Sequence, residues 1–232
     1  MKKLMFVFLL LLVSFSVQAQ IYFQDDFEDP QTTKDKWEII QGDWQANNGI
    51  FQQLGQDIDP WLVAMVANDY WKGEWTGYTV EFEVRNPVEG LDNGVSVLFR
   101  VQDPVPVNWA ERNGPNSNVY RWALNISMNT LGLIGVYEAG VYQRLCESPF
   151  SLVIGEWYDV KLVVTKKDAT AYINGEKVLQ TDDVRWTEGR VGIQAYNGPL
   201  DFDDFIIYGP EGALVKPAGK LIATWSQIKG VY

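Results

Sequence analysis

The chain has 232 residues, with 30 acidic and 19 basic side chains, no histidine and one cysteine, and its formal net charge is −11. This acidity argues against nucleic acids and anionic membranes as partners, because both are bound through basic patches. The absence of histidine excludes Ser-His-Asp and Cys-His catalysis, and a lone cysteine, Cys146, excludes an intramolecular disulfide.

The first residues have the pattern of an export signal. Lys2 and Lys3 precede an apolar stretch at residues 4–13, and residues 17–19 (Val-Gln-Ala) resemble a signal-peptide cleavage site. We therefore predict a signal peptide at residues 1–19 and a secreted protein, periplasmic or extracellular. Because the apolar stretch is short for a membrane span, we do not expect membrane insertion; an uncleaved anchor is the alternative.

Most of the remaining chain alternates apolar and polar residues with a period of two, which is typical of strands that bury one face. Turn dipeptides separate such segments at Asn48-Gly49, Asn93-Gly94 and Asn174-Gly175. Many short strands at close spacing predict an all-β fold. We expect a two-sheet antiparallel jelly-roll sandwich, built as one domain from residues 20–209.

Two acidic clusters lie at the ends of this domain, at residues 25–29 (DDFED) and 201–205 (DFDDF). If the first and last strands lie side by side, the clusters meet and could hold a calcium ion, which prefers six to eight oxygen ligands. The metal-ligand candidates are Asp25, Glu28, Asp203 and Asp204. The alternative is that these acids form solvated turns.

Two other segments differ from the strand pattern. Residues 102–118 contain three prolines and form a long predicted loop, of the kind that carries function on a rigid sheet or simply crosses its surface. Residues 210–232 form a linker and C-terminal tail, with a short helix predicted at 221–229. The tail either packs on the domain or attaches the protein to a surface.

Several short motifs follow one another along the chain: DDFED, Gly42-Asp43-Trp44, YTVEF at 78–82, VLFRV at 97–101, Tyr120-Arg121-Trp122, WYDVK at 157–161, YING at 172–175, GRVGI at 189–193 and FDDF at 202–205. Their order resembles the concanavalin A-like lectin/glucanase superfamily. The resemblance is strongest to laminin-G-like jelly rolls and the related 3-keto-disaccharide hydrolase domain, and it covers roughly residues 22–208. It implies two curved antiparallel sheets with a binding surface on one concave face, in a family that includes both binding modules and hydrolases.

Several polar and aromatic residues are candidates for binding a sugar. If the apolar residues of their strands face the core, Arg100, Arg121 and Asn125 face outward, with Gln102 at the end of its strand, and can hydrogen-bond sugar hydroxyls. Trp109, in the long loop, is the best candidate for an aromatic stacking platform. The alternatives are an ordinary solvated sheet face with ion pairs, and a tryptophan that only packs against the core.

Catalysis has weaker support in the sequence. The Glu-x-Asp-x-x-Glu strand of related retaining glucanases is absent, and Glu81 and Glu83 are the nearest carboxylate pair. Arg85 and Arg100 nearby favour ion pairing over a raised carboxyl pKa. The leading hypothesis is a secreted, non-catalytic module that binds a poly- or oligosaccharide. A glycoside-cleaving hydrolase and a structural or adhesive surface protein are the alternatives.

Overall fold

The computed structural model describes residues 20–55, 61–71, 73, 75–88, 93–106, 116–126 and 131–209. Within these residues the chain forms fifteen strands and one short helix, α1 (Pro30–Lys36). The strands are β1 (Ile21–Asp25), β2 (Trp37–Gln41), β3 (Trp44–Asn47), β4 (Ile50–Gln53), β5 (Leu62–Val66), β6 (Tyr78–Arg85), β7 (Gly94–Val101), β8 (Val119–Ile126), β9 (Leu131–Glu138), β10 (Val141–Pro149), β11 (Trp157–Val164), β12 (Ala169–Ile173), β13 (Glu176–Thr181), β14 (Arg190–Tyr196) and β15 (Leu200–Tyr208).

The strands form two antiparallel sheets, which confirms the predicted sandwich. The eight-stranded sheet has the order β13-β12-β11-β6-β15-β4-β3, with β1 also paired to β15. The seven-stranded sheet has the order β10-β9-β8-β7-β14-β5-β2. In the described part of the chain, no helix is long and apolar enough to span a membrane.

The core lies between the two sheets and follows from the alternation in the sequence. In β6, Val80, Phe82 and Val84 are buried in it, while the intervening side chains point away. Val97 and Phe99 of β7 belong to the same core cluster from the opposite sheet. Each fully buried side chain of this kind stabilises the fold by about 1.5–3 kcal/mol.

The two ends of the domain lie side by side. β1 pairs with β15, with Asp25 opposite Phe205, and the Gly209 amide donates a 2.8 Å hydrogen bond to the Gln20 carbonyl. The strand pairing that the calcium hypothesis requires is therefore present.

The sheets differ on the faces turned away from the core. The eight-stranded sheet presents charged and polar side chains there, such as Glu81, Arg85 and Lys161. The corresponding face of the seven-stranded sheet, here called the second face, is largely buried and carries its own apolar cluster. That cluster comprises Trp61, Val63, Met65, Leu98, Val101, Val119 and Tyr137.

Some predictions concern residues outside the described ranges. These are the signal peptide at 1–19, Trp109 in the long loop, and the tail at 210–232 with its short helix. They stay predictions.

Candidate functional site

Three polar side chains lie within the mostly apolar second face. In β14, Val191, Ile193 and Ala195 point into the core, so the alternation turns Gln194 to the second face. Gln194 is opposite Ser96 of β7 in the strand register. Arg121 of β8 reaches the same place, since its Nε donates a 2.8 Å hydrogen bond to the Ser96 hydroxyl oxygen.

Gln194 is the unusual member of this group. Its side chain is 0% exposed, and neither its amide nitrogen nor its amide oxygen has a hydrogen-bond partner. Leaving a buried polar group unsatisfied costs about 1–3 kcal/mol. Most buried polar groups in native proteins are paired, so an exception needs an explanation such as a missing water or ligand.

Aromatic rings border the polar group. The Arg121 guanidinium carbon lies 5.4 Å from the centroid of the Trp61 ring, within cation–π range. Trp61 meets Tyr137 edge to face at 5.6 Å, and Tyr137 lies 4.9 Å from Tyr142 of the edge strand β10. The second face thus combines a polar centre with a continuous row of rings.

Charged residues stand at another edge of the second face. Arg190 lies four residues before Gln194 on β14 and is nearly fully buried. Its guanidinium hydrogen-bonds the Glu38 carboxylate, lies 3.3 Å from Asp103 Oδ1 and donates to the Val66 carbonyl at 3.2 Å. One buried cation therefore holds two partly exposed carboxylates close together.

The predicted sugar-binding residues do not all lie at one place in the structure. Arg121 lies on the second face with Gln194 and Ser96. Asn125 follows on the same strand, but its side chain is outside the described part. The Gln102 amide nitrogen donates hydrogen bonds to two backbone carbonyls, that of Arg100 at 3.1 Å and that of Glu188 at 2.8 Å. Nothing in its sequence context indicated that backbone role.

The predicted outward orientation of Arg100 is wrong. Its side chain is 1% exposed, because a bulge in the β7–β14 pairing gives it a positive φ of 49° and breaks the alternation. Its guanidinium donates to the backbone carbonyls of Thr76 and Thr165 at 3.3 and 2.5 Å. Burial lowers the pKa of Arg100, an effect that Tyr78 and Tyr120 oppose.

Glu81 and Glu83, the nearest carboxylate pair in the sequence, lie in a different sheet from Arg100 and Arg121. Strand β6 belongs to the eight-stranded sheet, so both carboxylates lie on the opposite side of the sandwich from Arg121. Glu81 accepts a 2.6 Å hydrogen bond from the Tyr208 hydroxyl and pairs with Lys161 at 2.9 Å. Glu81 is thus ion-paired, as expected of this carboxylate pair, and its partner is Lys161.

The expected convergence of acids for calcium is not found. The Asp25 carboxylate is buried and bonded to Lys36 Nζ at 3.2 Å and Trp37 Nε1 at 3.0 Å. Asp203 accepts a 2.8 Å hydrogen bond from the Asp204 amide, and Glu28 is exposed beside Gly49. Across the residues placed by the structure, no three acidic or cysteine side chains are grouped to hold a metal ion.

Sequence reasoning missed the residues that the structure brings together with Arg121. A single glutamine in an apolar strand gives no sign that its amide is unpartnered. Ser96 was visible only as the polar member of an alternating strand. Trp61 lies just before strand β5, and its place beside Arg121 depends on which strands share a sheet.

Comparison with known proteins places the chain in a family and a fold. The family model described as "3-keto-alpha-glucoside-1,2-lyase-like domain" matches residues 23–207. No curated protein matches the sequence significantly.

Solved structures share the fold at low sequence identity. A carbohydrate-binding module, CBM66 from Bacillus subtilis, matches with a TM-score of 0.60 and 14% identity, over 75% of this chain and 96% of its own. The potassium-bound Emp46p carbohydrate recognition domain matches with a TM-score of 0.65 and 11% identity, over 83% of this chain and 98% of its own. The GH43 protein BlXynB from Bacillus licheniformis matches with a TM-score of 0.56 and 14% identity, over 80% of this chain but 39% of its own.

Proposed function

The chain belongs to the 3-keto-alpha-glucoside-1,2-lyase-like domain family, and on that premise we propose that it binds carbohydrate on the second face of its seven-stranded sheet. The observation that carries the proposal is the buried Gln194 amide, whose donor and acceptor both lack a partner. Ser96 and Arg121 stand beside it.

The chemistry of this group suits a sugar. An amide offers one acceptor and two donor hydrogens, and a sugar hydroxyl both donates and accepts, so one amide can engage two hydroxyls of a ring. Arg121 already donates to the Ser96 oxygen, which directs the Ser96 hydroxyl hydrogen elsewhere. Binding sites are mostly apolar with a few placed polar groups, and the second face has that composition.

Two relatives in fold support a carbohydrate ligand through their own descriptions. One is a carbohydrate-binding module and the other a carbohydrate recognition domain. We infer a poly- or oligosaccharide ligand, met outside the cytoplasm after removal of the predicted signal peptide. The predicted calcium site stays outside this proposal, because Asp25 is paired with Lys36 and no three acidic side chains of the described residues are grouped for a metal ion.

A glycan panel tests the proposal directly. The chain from Gln20 to Tyr232 is applied to immobilised and soluble poly- and oligosaccharides, and both retained protein and released sugar are measured. Retention without release is the expected result. If the protein is retained by no glycan and releases sugar from none, the proposal is contradicted. A structural or adhesive surface protein is then favoured.

The variant Gln194→Met sharpens this test, since methionine keeps the volume of the side chain and removes both polar atoms. We expect retention to weaken by at least about tenfold, as two hydrogen bonds to the ligand are lost. The free energy of unfolding should rise by about 1–3 kcal/mol, because an unsatisfied buried amide disappears. A purely structural glutamine would give the opposite stability change.

Gln53 supplies the matched control. It is also fully buried, but in the orientation that satisfies its amide, its nitrogen donates to the Gly55 and Gly198 carbonyls and its oxygen accepts from the Gly55 amide. Gln53→Met should therefore destabilise the fold and leave glycan affinity unchanged when the protein is folded. Equal behaviour of the two variants would contradict the role given to Gln194.

A glycoside-cleaving enzyme is the second candidate, and the lyase-like family description favours it. Glu81 and Glu83 cannot act on a sugar bound near Gln194, since they lie across the sandwich. Glu38 and Asp103, held by Arg190, are the carboxylates at the edge of the second face. Released sugar that Glu38→Gln or Asp103→Asn abolishes, with retention kept, would establish this candidate.

A further inference from the structure

We propose that Tyr142 forms an outer stacking subsite, so that the site takes a glycan chain rather than a single sugar unit. This inference rests on the proposed carbohydrate binding and extends it across the second face to the edge strand β10. Tyr142 is the ring of this aromatic row that reaches solvent, with 39% of its surface exposed. Trp61 and Tyr137, the other two rings, are buried.

The backbone beneath Tyr142 is shaped to let its ring lie on the sheet. The ring packs over Gly135 of β9, where a Cβ atom would come within 2.6 Å of Tyr142 Cε2. Any side chain at position 135 would displace the ring, because real Cβ contacts essentially never fall that short. A glycine in the interior of a strand is otherwise unfavourable, and close approach of another group is the usual reason for it.

Contact with Gly135 sets the orientation of the ring before any ligand binds. An aromatic platform whose orientation is fixed before the ligand arrives loses little conformational entropy on binding. Tyr142 is thus positioned by its neighbour in the sheet.

Tyr142 is continuous with the polar centre. The rings run from Tyr142 to Tyr137 at 4.9 Å and on to Trp61 at 5.6 Å, above which Arg121 lies at 5.4 Å. Strand β10 is separated from β14, which carries Gln194, by β9, β8 and β7. At about 4.8 Å between neighbouring strands, β10 and β14 are roughly 19 Å apart across the sheet.

That length and chemistry fit a chain of sugar units. Gln194, Ser96 and Arg121 offer hydrogen bonds to hydroxyls at the buried end. An exposed tyrosine face offers the apolar surface on which the C–H face of a sugar ring stacks. A single unit engaged at Gln194 would leave Tyr142 unused, whereas a longer chain contacts both.

The experiment compares glycans of one sugar and one linkage at increasing length. Binding of mono-, di-, tri- and tetrasaccharides is measured by calorimetry for the wild type, Tyr142→Ala and Tyr142→Phe. We expect Tyr142→Ala to weaken the longest ligand roughly five- to tenfold, as one ring contact is lost, and to leave the monosaccharide unchanged. Tyr142→Phe should stay close to wild type, since it keeps the ring.

Tyr172→Ala is the matched control. Tyr172 is a partly buried tyrosine on β12, in the other sheet, and its alternation turns it away from the core. Its removal should leave the affinity for every length unchanged. Melting temperatures of all variants show whether each is folded.

The outcomes separate this inference from the proposed function. If the wild type binds no glycan, the proposed function fails. If the wild type binds but Tyr142→Ala binds the longest ligand as tightly, the subsite is overturned while the function stands. Equal wild-type affinity for one unit and for four would also overturn it, and Tyr142 would then only cover the sheet edge.

Discussion

Arg100 has an unusual environment for a charged side chain. It belongs to the seven-stranded sheet, yet its guanidinium bonds to Thr76 and Thr165, which flank strands β6 and β11 of the eight-stranded sheet. A buried cation is costly unless it is hydrogen-bonded, and planar guanidinium geometry suits two backbone carbonyls at once. Arg100 therefore joins the two sheets at one end of the sandwich.

Replacing Arg100 with lysine tests this role. Lysine keeps the charge but presents a compact ammonium that cannot reproduce the guanidinium geometry, so we expect a loss of about 1–3 kcal/mol in the free energy of unfolding. Urea denaturation measures it. Arg144→Lys, at an exposed position, should change the same quantity by less than about 0.5 kcal/mol. Equal stabilities of wild type and Arg100→Lys would contradict the inter-sheet role.

The connection between β13 and β14 is fixed by a small hydrogen-bonded network. The Tyr120 hydroxyl donates to Asp183 Oδ1 at 2.5 Å and accepts from the Arg185 amide at 2.8 Å, while Arg185 pairs with Asp183 at 2.9 Å. Burial alone would raise the pKa of Asp183, but the hydrogen bonds from Arg185 and Tyr120 and the Arg185 charge lower it overall.

A lowered carboxyl pKa predicts how stability depends on pH. The contribution of Asp183 is present above the pKa of an unfolded aspartate, about 3.9, and is lost as pH falls through the lower folded value. Asp183→Asn should therefore melt below the wild type at neutral pH, and the difference should shrink below about pH 4. Thermal unfolding across pH measures it, with the exposed neighbour variant Asp182→Asn as control. A difference that stays constant with pH would argue against this linkage.

Single strands were predictable from the sequence because each alternates independently. The Asn174-Gly175 turn joins β12 to β13 with φ values of 50° and 80°, the conformation for which this dipeptide is favoured. Bulges were not predictable in the same way. Arg100 follows a regular alternation in sequence, and only the register shift against β14 turns it inward.

The alternation of apolar and polar residues within a strand does not indicate which strands pair with each other. Arg121 was predicted as a site residue from β8 alone, and that placement needs no neighbour. Gln194 and Ser96 join it only because β14 and β7, distant in sequence, are paired. Nothing in β6 alone indicates which sheet it enters, so the position of Glu81 relative to Arg121 could not be read from the sequence.

At the scale of the whole molecule, the two sheets share one core and differ on their remaining faces. The eight-stranded sheet satisfies its outer charges by cross-strand pairs such as Arg85 with Asp201 at 2.5 Å. The second face of the seven-stranded sheet buries apolar side chains instead, with Gln194 among them. The two faces therefore differ in chemistry, since one is charged and paired at the surface and the other is largely apolar and buried.

The fold should also be stable without a bound cation. Asp25 already has Lys36 as its counter-charge, and the described part of the chain holds no cluster of three metal-binding side chains. We expect the melting temperature to be the same in EDTA and in millimolar calcium. Because a ligand of the native state raises the melting temperature, a marked increase with calcium would contradict this expectation.

The pairing of β1 with β15 has a consequence for how the order of the strands along the chain could be changed. The Gly209 amide is hydrogen-bonded to the carbonyl of residue 20, so a short linker could join these two residues and close the backbone into a ring. The ring could then be opened at the exposed Asn174-Gly175 turn without removing any strand from its sheet. The architecture is therefore suited to circular permutation, and to insertion as a unit into a surface loop of another protein.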